Sequence, residues 1–379
     1  MIPSLGEIFS ACAILGCIYL LVALAVVLFW NSSADASENA APEPVTILKP
    51  LHGAEPRLLE CLTSFCDQDY GAPTQIVLGL QDKNDPAMQT ASKLRAARPQ
   101  AAIDVIVDPT SHGTNAKVSN LINMEAAAAN DILIASDCDI LVKPDHVARV
   151  VTLLQKSGVG VVTVLYHGEA AGPLWSKLAA HCINTHFLPN VLVGLTFDLA
   201  KPCFGSTIAL RRQMLGQIGG FKAFANHLAD DFAIGEAVRK AGHALEVAPF
   251  SVAHICHEET MRDILQHQLR WARTIKSIDM PGYLGSFIAH PFALAVLGIV
   301  AGYGYCIPIA AAALGLRAAL CKAIERSFRL APQVYWLIPF ADLLSFSIFV
   351  WSFLGTAVSW KGSDFDVLDD GTLAQRPEG

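Results

Sequence analysis

The chain has 379 residues, of which 53% are hydrophobic and only 16% are charged, and its formal net charge is −7. Soluble domains carry about 25% charged residues, and the deficit here is concentrated near the N-terminus and in the C-terminal third. The negative charge argues against a nucleic-acid partner. The ten cysteines include no CxxC pair, which favours reduced cytosolic thiols over a disulfide framework or a zinc site.

An apolar run covers residues 8–30 at the start of the chain. About 20 apolar residues suffice to span a bilayer as a helix. The run is longer than the apolar part of a signal peptide, and no Lys or Arg precedes it. We therefore predict a retained transmembrane anchor over residues 1–30, with Trp30 at the membrane interface. Residues 31–44 are small, polar and interrupted by proline, which predicts a linker.

Short apolar runs then alternate with segments of helical periodicity. Strands are predicted at 45–48, 75–80, 103–107, 131–135 and 159–165, and helices at 55–65, 87–97, 117–129 and 144–155. This alternation predicts an α/β fold, Rossmann-like, with a mainly parallel sheet covered by helices on both faces. Ligands of such sheets bind beyond the carboxyl ends of the strands. We take residues 45–283 as one domain, facing the cytoplasm.

Residues 284–360 are mostly apolar and are predicted to form C-terminal membrane segments. The run 287–316 is too long for one average span and contains Gly and Pro at 302–308. We favour two short helices hinged there over one single span, because the hinge returns the following basic cluster to the cytoplasm. Residues 334–360 would then cross outward and leave the acidic tail, 361–379, outside. The basic cluster consists of Arg317, Lys322, Arg326 and Arg329.

Two carboxylates two positions apart follow the predicted strand 131–135. Asp137 and Asp139 could hold Mg²⁺ or Mn²⁺, since these hard cations take oxygen ligands and bridge carboxylates to substrate phosphates. The competing interpretation is a solvated turn, in which Asp is common. The position directly after a buried strand makes the two interpretations about equally strong.

Three further groups could carry chemistry, and each has a simpler structural explanation. Asp82 follows the second strand and could bind a nucleobase, or merely cap the next helix. Asp230 and Asp231 could form a general base tuned by its like-charged neighbour, or an N-cap. Arg270 could bind a diphosphate and Trp271 a sugar or an acceptor groove, but basic and aromatic residues also serve as interfacial anchors.

The order of these groups resembles a known family. An Asp, a DxD, an acidic pair and an RW before a membrane segment occur in this order in lipid-linked and processive glycosyltransferases with the GT-A fold. The resemblance covers about residues 45–283 and the flanking membrane segments. The chain is similar to the ceramide glucosyltransferase superfamily and, within it, to bacterial glycosyltransferases associated with hopanoid biosynthesis. The stretches that carry the resemblance are LKPLHG (48–53), QD (81–82) with DP (85–86), HGTNAKVSNL (112–121), PCFGST (202–207), LADD (228–231) and LRWART (269–274).

The resemblance implies roles for individual residues. Asp231 would be the catalytic base beside Asp230, and Arg270 and Trp271 match the end of a (Gln/Arg)xxRW motif whose first position is His267 here, a departure from the family pattern. Asp139 stands where ceramide glucosyltransferases can carry Gly, so its metal role depends on the wider GT-A pattern. The residues implied to bind the nucleotide-sugar are Asp82, Lys117, Asp137, Gly205 and Ser206.

The resemblance also implies an activity. We expect a metal-dependent, inverting transfer of N-acetylglucosamine or glucose from a UDP-sugar to a lipid hydroxyl at a bacterial inner membrane. A hopanoid polyol is the first candidate acceptor and ceramide the alternative. The apolar segment 183–199 would either admit the lipid or form core. From another class, a polysaccharide synthase or a non-catalytic membrane protein on the same fold remains open, because fold alone does not fix function.

Overall fold

The computed structural model describes residues 4–32, 41–355, 357–360, 363–367 and 372–375, and for the last three ranges it describes the backbone, with the side chain of Thr372. An eight-stranded sheet forms the centre of the molecule, with the strand order β3-β2-β1-β4-β7-β6-β8-β5. Its strands are β1 Val45–Pro50, β2 Thr74–Leu80, β3 Ala102–Val107, β4 Ile132–Ala135, β5 Ile140–Leu141, β6 Val159–Ala170, β7 Ile208–Arg211 and β8 Ala244–Cys256.

Fourteen α-helices surround this sheet or extend from it within the described residues. They are α1 Leu5–Phe29, α2 Leu58–Cys66, α3 Ala87–Ala97, α4 Ala116–Glu125, α5 His146–Leu154, α6 Leu174–Cys182, α7 Leu188–Thr196, α8 Arg212–Gln217, α9 Asp230–Lys240, α10 Met261–Ile278, α11 Met280–Gly285, α12 Pro291–Val300, α13 Cys306–Phe328 and α14 Ile338–Trp351. A π-helix, Ile183–Phe187, joins α6 to α7. A small antiparallel sheet of β9 Ala357–Trp360, β10 Ser363–Val367 and β11 Leu373–Gln375 follows α14.

The inner strands β1 and β4 are buried throughout, on both faces of the sheet, which explains their apolar character. The edge strand β3 is mostly exposed or half-buried. All six residues of β1 are buried. Ile47 packs into one core, and its neighbour Leu48 packs into a second core on the opposite face, because successive side chains of a strand alternate between faces. The predicted α/β class is confirmed.

The pairing of the strands is parallel on one side of the sheet and mixed on the other. β3, β2, β1 and β4 are parallel neighbours. β7 runs antiparallel between β4 and β6, while β6 and β8 are parallel and β5 pairs antiparallel with β8. All five predicted strands are present. The inserted strand β7 brings the preceding loop beside the carboxyl end of β4.

Apolar helices near both ends of the chain are also confirmed. α1 and α13 are long and apolar enough to cross a membrane, and 280–289 with α12 would make a third span bent by 65°. α1 and α13 run side by side in the same direction. Ser10 contacts Cys306 at one end, at 3.0 Å, and the Ser327 hydroxyl donates to the Val27 carbonyl at the other, also at 3.0 Å.

The turn between α12 and α13 falls at residues 301–305, where the sequence predicts a hinge. The second arm is longer than predicted, at 23 residues. The prediction that the basic cluster forms a loop is wrong: Arg317, Lys322 and Arg326 lie on α13, and Arg329 caps its end.

The prediction that the acidic tail lies on the far side of the membrane is also wrong. Thr372 forms a backbone bridge with His227, a residue of the central domain. Asp364 and Asp366 lie on β10, while Asp369 and Asp370 fall outside the described residues. The predicted linker 31–44 is described only in part, since residues 33–40 also fall outside.

A buried ion pair joins the C-terminal helices. The Arg317 side chain is fully buried, and its Nε lies 3.0 Å from Asp342 Oδ1 on α14. Its two terminal nitrogens donate to the carbonyls of Thr185, in the π-helix, and Ala289. His186 Nε2 lies 2.7 Å from the same carboxylate oxygen of Asp342. One guanidinium therefore holds together the π-helix, α13, α14 and the residues before α12.

We predict that Arg317→Met destabilises the protein by roughly 3–5 kcal/mol, because it leaves the Asp342 carboxylate buried without its cation. Thermal unfolding in detergent should show the loss as a lower midpoint. Arg326→Met, an exposed residue of the same helix, is the matched control and should leave the midpoint unchanged. Equal midpoints for the two variants would contradict a stabilising role for the pair.

Candidate functional site

The candidate site lies beyond the carboxyl end of β4, where three separate segments meet. Asp137 follows β4, and α4 and α9 begin beside it. Asn115 caps α4, because its side-chain oxygen accepts from the Val118 N–H at 3.0 Å. Its amide nitrogen donates to the His227 carbonyl and to Asp230 Oδ1, at 2.8 and 3.2 Å. The cap of one helix thereby positions the first residue of the other.

Lys117 links two carboxylates from different parts of the chain. Its Nζ lies 2.8 Å from Asp137 Oδ1 and 3.3 Å from Asp230 Oδ2. Burial opposes the charged ammonium, but these carboxylates raise the pKa of Lys117 well above its ordinary value. Burial also raises the pKa of Asp137, and Lys117 counteracts it. Lys117 and Asp137, which the resemblance assigns to the nucleotide-sugar, thus form one charged cluster with Asp230.

The second acid of the pair is held by backbone amides. Asp231 Oδ2 accepts from the Gly205 N–H, and Oδ1 from the Phe232 N–H, each at 2.8 Å. Burial, together with the neighbouring Asp230, raises the pKa of Asp231 to about 6. Asp231 is therefore oriented and has the proton affinity of a general base that works near neutral pH.

Gly205 lies where any larger side chain would displace its neighbours. A Cβ atom there would lie 2.8 Å from both Asp137 Oδ2 and Lys117 Nζ. The Gly205 carbonyl accepts from the Asp137 N–H at 3.1 Å. Ser206 is buried, and its hydroxyl donates to the Val164 carbonyl at 2.7 Å. The structure brings Gly205 into the cluster, whereas the Ser206 side chain supports the strand behind it.

Asp139 faces a different partner from Asp137. Its Oδ2 lies 3.5 Å from His254 Nδ1 on β8. Its Oδ1 is buried and has no hydrogen-bond partner, as expected of an oxygen available to a cation. No group of three or more His, Cys, Asp or Glu side chains among the described residues could hold a metal alone. The two carboxylates fit Mg²⁺ or Mn²⁺ only if substrate oxygens complete the coordination.

An aromatic wall borders the carboxylates, and we define it as Tyr166, His254, His267 and Trp271. The Trp271 ring lies 4.3 Å from that of His267, 5.7 Å from His254 and 6.1 Å from Tyr166. Both histidines are held by acids. His267 Nδ1 lies 2.8 Å from Glu258 Oε1, so the residue that departs from the family motif fixes one edge of Trp271.

Arg270 is half-buried on α10, the helix that carries this wall. Burial lowers the pKa of Arg270, and the carboxylates of Asp137, Asp139 and Asp231 oppose that effect. The guanidinium therefore lies within the electrostatic reach of the site. α10 starts with a capping box between Thr260 and Asp263, which fixes where the helix begins.

Asp82 lies apart from this cluster. It is exposed, and its Oδ1 accepts from the Asn84 N–H at 2.8 Å, which is a turn-forming contact. Among the described residues, no hydrogen bond or ion pair joins Asp82 to Lys117, Asp137 or Asp231. Its assignment to the nucleotide stays a prediction.

Sequence reasoning missed several residues of the site, including Asn115, Tyr166, His254 and Glu258. His254 had a detectable signal, because it is a polar residue within the otherwise apolar run 252–256. Asn115 also had one, as an Asn directly before a helical segment. Tyr166 gave none, since an aromatic residue at the end of a strand is ordinary core.

The comparison with known families agrees with this arrangement. Glycosyl transferase family 21 matches the chain over residues 8–373. The chain belongs to glycosyl transferase family 21. The match includes the apolar helices at both ends as well as the site.

Curated relatives of the chain are ceramide glucosyltransferases. Ceramide glucosyltransferase 1 of Caenorhabditis elegans is 22% identical over 62% of this chain and 51% of its own length. That of Komagataella phaffii is 32% identical over 30% of this chain and 23% of its own length. The ceramide glucosyltransferase of Pyricularia oryzae is 22% identical over 88% of this chain and 86% of its own length. The chain thus spans about half or less of the first two.

Among solved structures, the chain is similar to a mannosyltransferase from Pyrobaculum calidifontis in complex with GDP-Man and Mn²⁺. The identity is 19%, the TM-score is 0.48, and the match covers 91% of this chain and 98% of that one. A similarity at this level does not transfer ligands or mechanism.

We predict that Gly205→Ala lowers sugar transfer by about a hundredfold, because the added methyl group displaces Lys117 or Asp137 by a distance that matters for reacting groups. Gly216→Ala is the matched control, since a Cβ at Gly216 meets open space. It should keep wild-type turnover. Initial rates of both purified variants, with unfolding midpoints to exclude misfolding, make the measurement. Unchanged turnover in Gly205→Ala would contradict the proposed cluster.

Proposed function

We propose that this protein transfers a hexose from a nucleotide-sugar to a hydroxyl group of a membrane lipid. The observation that carries the proposal is the position of Asp231, a carboxylate held by two backbone N–H groups beside the Asp230–Lys117–Asp137 cluster. Membership in glycosyl transferase family 21 supports the same chemistry. The flanking apolar helices support an acceptor that resides in the membrane.

In this proposal Asp231 removes the proton from the acceptor hydroxyl as that oxygen attacks the anomeric carbon. The bond from the anomeric carbon to the nucleoside diphosphate breaks in the same step. Asp231 is the one base candidate that the site offers, and no second carboxylate is assigned as a nucleophile. A single displacement inverts the configuration, so an α-linked donor gives a β-linked product.

The leaving diphosphate needs positive charge near it as the bond breaks. Lys117 and Arg270 are two cationic side chains at the site that could supply it, and Arg270 has the planar geometry suited to phosphate oxygens. Asp137 and Asp139 would hold Mg²⁺ or Mn²⁺, which when bound supplies Lewis-acid stabilisation of the leaving group. Asp82 would contact the nucleobase.

The acceptor is proposed to approach along the aromatic wall. Phe187, the last residue of the π-helix, stacks on Tyr166 at 4.7 Å between ring centroids. The segment 183–199 is buried over its first half, whereas Phe197 and Leu199 are 55% and 74% exposed. This favours a segment with one end in the core and one apolar end available to lipid.

The relatives and the sequence resemblance support two pairs of substrates. The ceramide glucosyltransferases support glucose and ceramide. The sequence resemblance to bacterial hopanoid enzymes supports N-acetylglucosamine, a UDP donor and a hopanoid polyol, at the cytoplasmic face of a bacterial inner membrane. Mass spectrometry of membrane lipids with and without the gene decides between them. Loss of a glycosylated hopanoid would support the hopanoid acceptor, and loss of a glycosylceramide would support ceramide.

Polysaccharide synthesis is the weaker alternative. A synthase that moves its polymer across the bilayer needs a channel of several helices, whereas the described residues contain two helices, or three with the bent pair, that could cross. A non-catalytic protein would have no need to keep Asp137, Asp139, Asp230 and Asp231 together.

We predict that Asp231→Asn abolishes transfer and leaves donor binding nearly unchanged, because an amide keeps the size of the carboxylate but cannot accept the proton. In the wild type, activity should fall as the pH drops through about 6, since the raised pKa of Asp231 leaves the base protonated below that value. A pH–rate profile and donor titration measure both effects. Wild-type turnover in Asp231→Asn would rule out this residue as the base.

We also predict that EDTA removes activity and that added Mg²⁺ or Mn²⁺ restores it. Asp139→Ala should weaken metal-dependent donor binding, since it removes the buried oxygen that has no protein partner. Donor affinity with and without metal, measured by calorimetry, separates binding from turnover. Full activity in the presence of chelator would show that the metal assignment is wrong.

A further inference from the structure

A basic cavity lies between the central domain and the ends of two membrane helices, away from the cluster around Lys117. Its volume is about 380 Å³. Lys143, Asp145, His146 and Arg149 line it from the domain, and Ser32 and Arg329 from the ends of the membrane helices. Three cationic side chains thus face one carboxylate, so the cavity carries net positive charge.

We propose that this cavity binds the phosphate headgroup of an anionic glycerophospholipid. The site is separate from the proposed transfer reaction and does not depend on it. Anionic lipids are recognised by basic pockets at the membrane surface. Ser32 follows α1 and Arg329 follows α13. The cavity therefore lies at the ends of two apolar helices.

The cations of the cavity differ in how firmly they are held. The Arg149 guanidinium stacks on Phe250 at 3.8 Å, donates to the Ser32 carbonyl at 3.1 Å and lies 3.6 Å from Asp145. Lys143 and Arg329 are exposed and have no ion pair within the described residues. One fixed cation and two adaptable ones suit a phosphate group.

A buried polar atom gives an independent indication of a ligand. His146 is only 1% exposed, and its Nδ1 has no hydrogen-bond partner. Its ring packs edge-on against Phe65 and Phe250, and its Nε2 lies 3.5 Å from the Thr207 hydroxyl. Buried polar atoms are nearly always paired, so an orphaned nitrogen on a residue lining a basic cavity points to a polar partner supplied by a ligand.

The backbone at Arg329 supports the same inference. Arg329 has a φ of +56°, in the left-handed region where helices usually end with glycine. A non-glycine residue is strained there. Glycine would relieve the strain but would remove the guanidinium from the mouth of the cavity.

The test uses the purified full chain in detergent with phosphatidylglycerol or phosphatidylcholine, and native mass spectrometry to count retained lipids. The wild type should retain phosphatidylglycerol in preference to phosphatidylcholine. Lys143→Gln with Arg329→Gln should weaken this retention by about twenty-fivefold, since each basic residue near an anionic surface contributes about fivefold. Lys93→Gln with Arg326→Gln removes the same charge from exposed positions outside the cavity and should match the wild type.

Two further arms separate the outcomes. His146→Phe keeps the ring packing and removes the free nitrogen, so it should lower phosphatidylglycerol retention without changing the net charge. Equal retention in the Lys143/Arg329 variant and its control would overturn the proposal. Inorganic phosphate should not displace the lipid; if it binds the lipid-free protein in detergent and the Lys143/Arg329 variant loses that binding, the cavity holds a soluble phosphate and the lipid assignment is wrong.

Discussion

The Lys117 ammonium is the interaction on which the rest of the site depends. Asp137, Asp230 and Asp231 lie close together and largely out of solvent, and like charges at such distances repel strongly in a low-dielectric setting. One cation in contact with two of them offsets part of this repulsion. Burial and the neighbouring Asp230 raise the pKa of the third acid, Asp231, to about 6, and Lys117 opposes this rise. Lys117 therefore contacts two of the acids directly, while backbone N–H groups hold Asp231.

The sheet topology brings these groups together. Lys117 stands in the first turn of α4, and Asp230 and Asp231 open α9, so two helix N-termini point their partial positive charge at the acids. β7 lies antiparallel beside β4, and the loop before it places Gly205 against Asp137. A parallel strand in that position would arrive from the opposite edge and leave the loop far from the site.

The parts of this arrangement that could be predicted are those set by local pattern. The bounds of α3, 87–97, match the prediction, and β1, β2 and β3 match within two residues, because short apolar runs mark these strands in the sequence. β7 was missed because Ile208–Arg211 is a four-residue run with no clear period. The pairing of Asp139 with His254 depends on the register of β5 against β8, which no local signal encodes. The sequence predicts a loop for the basic cluster because a buried arginine needs a counterion, and the counterion of Arg317, Asp342, lies 25 residues later where no local pattern indicates it.

That counterion gives the membrane segments a connection to the site. Arg317 donates to the Thr185 carbonyl within the π-helix, and Phe187 at the end of the same π-helix stacks on Tyr166. Tyr166 in turn contacts Trp271. A π-helix costs hydrogen-bond geometry and recurs at functional positions. In this π-helix, His186 contacts Asp342, and the next residue, Phe187, stacks on Tyr166 of the aromatic wall. A continuous series of contacts therefore connects the buried ion pair to the side chains that border the carboxylates.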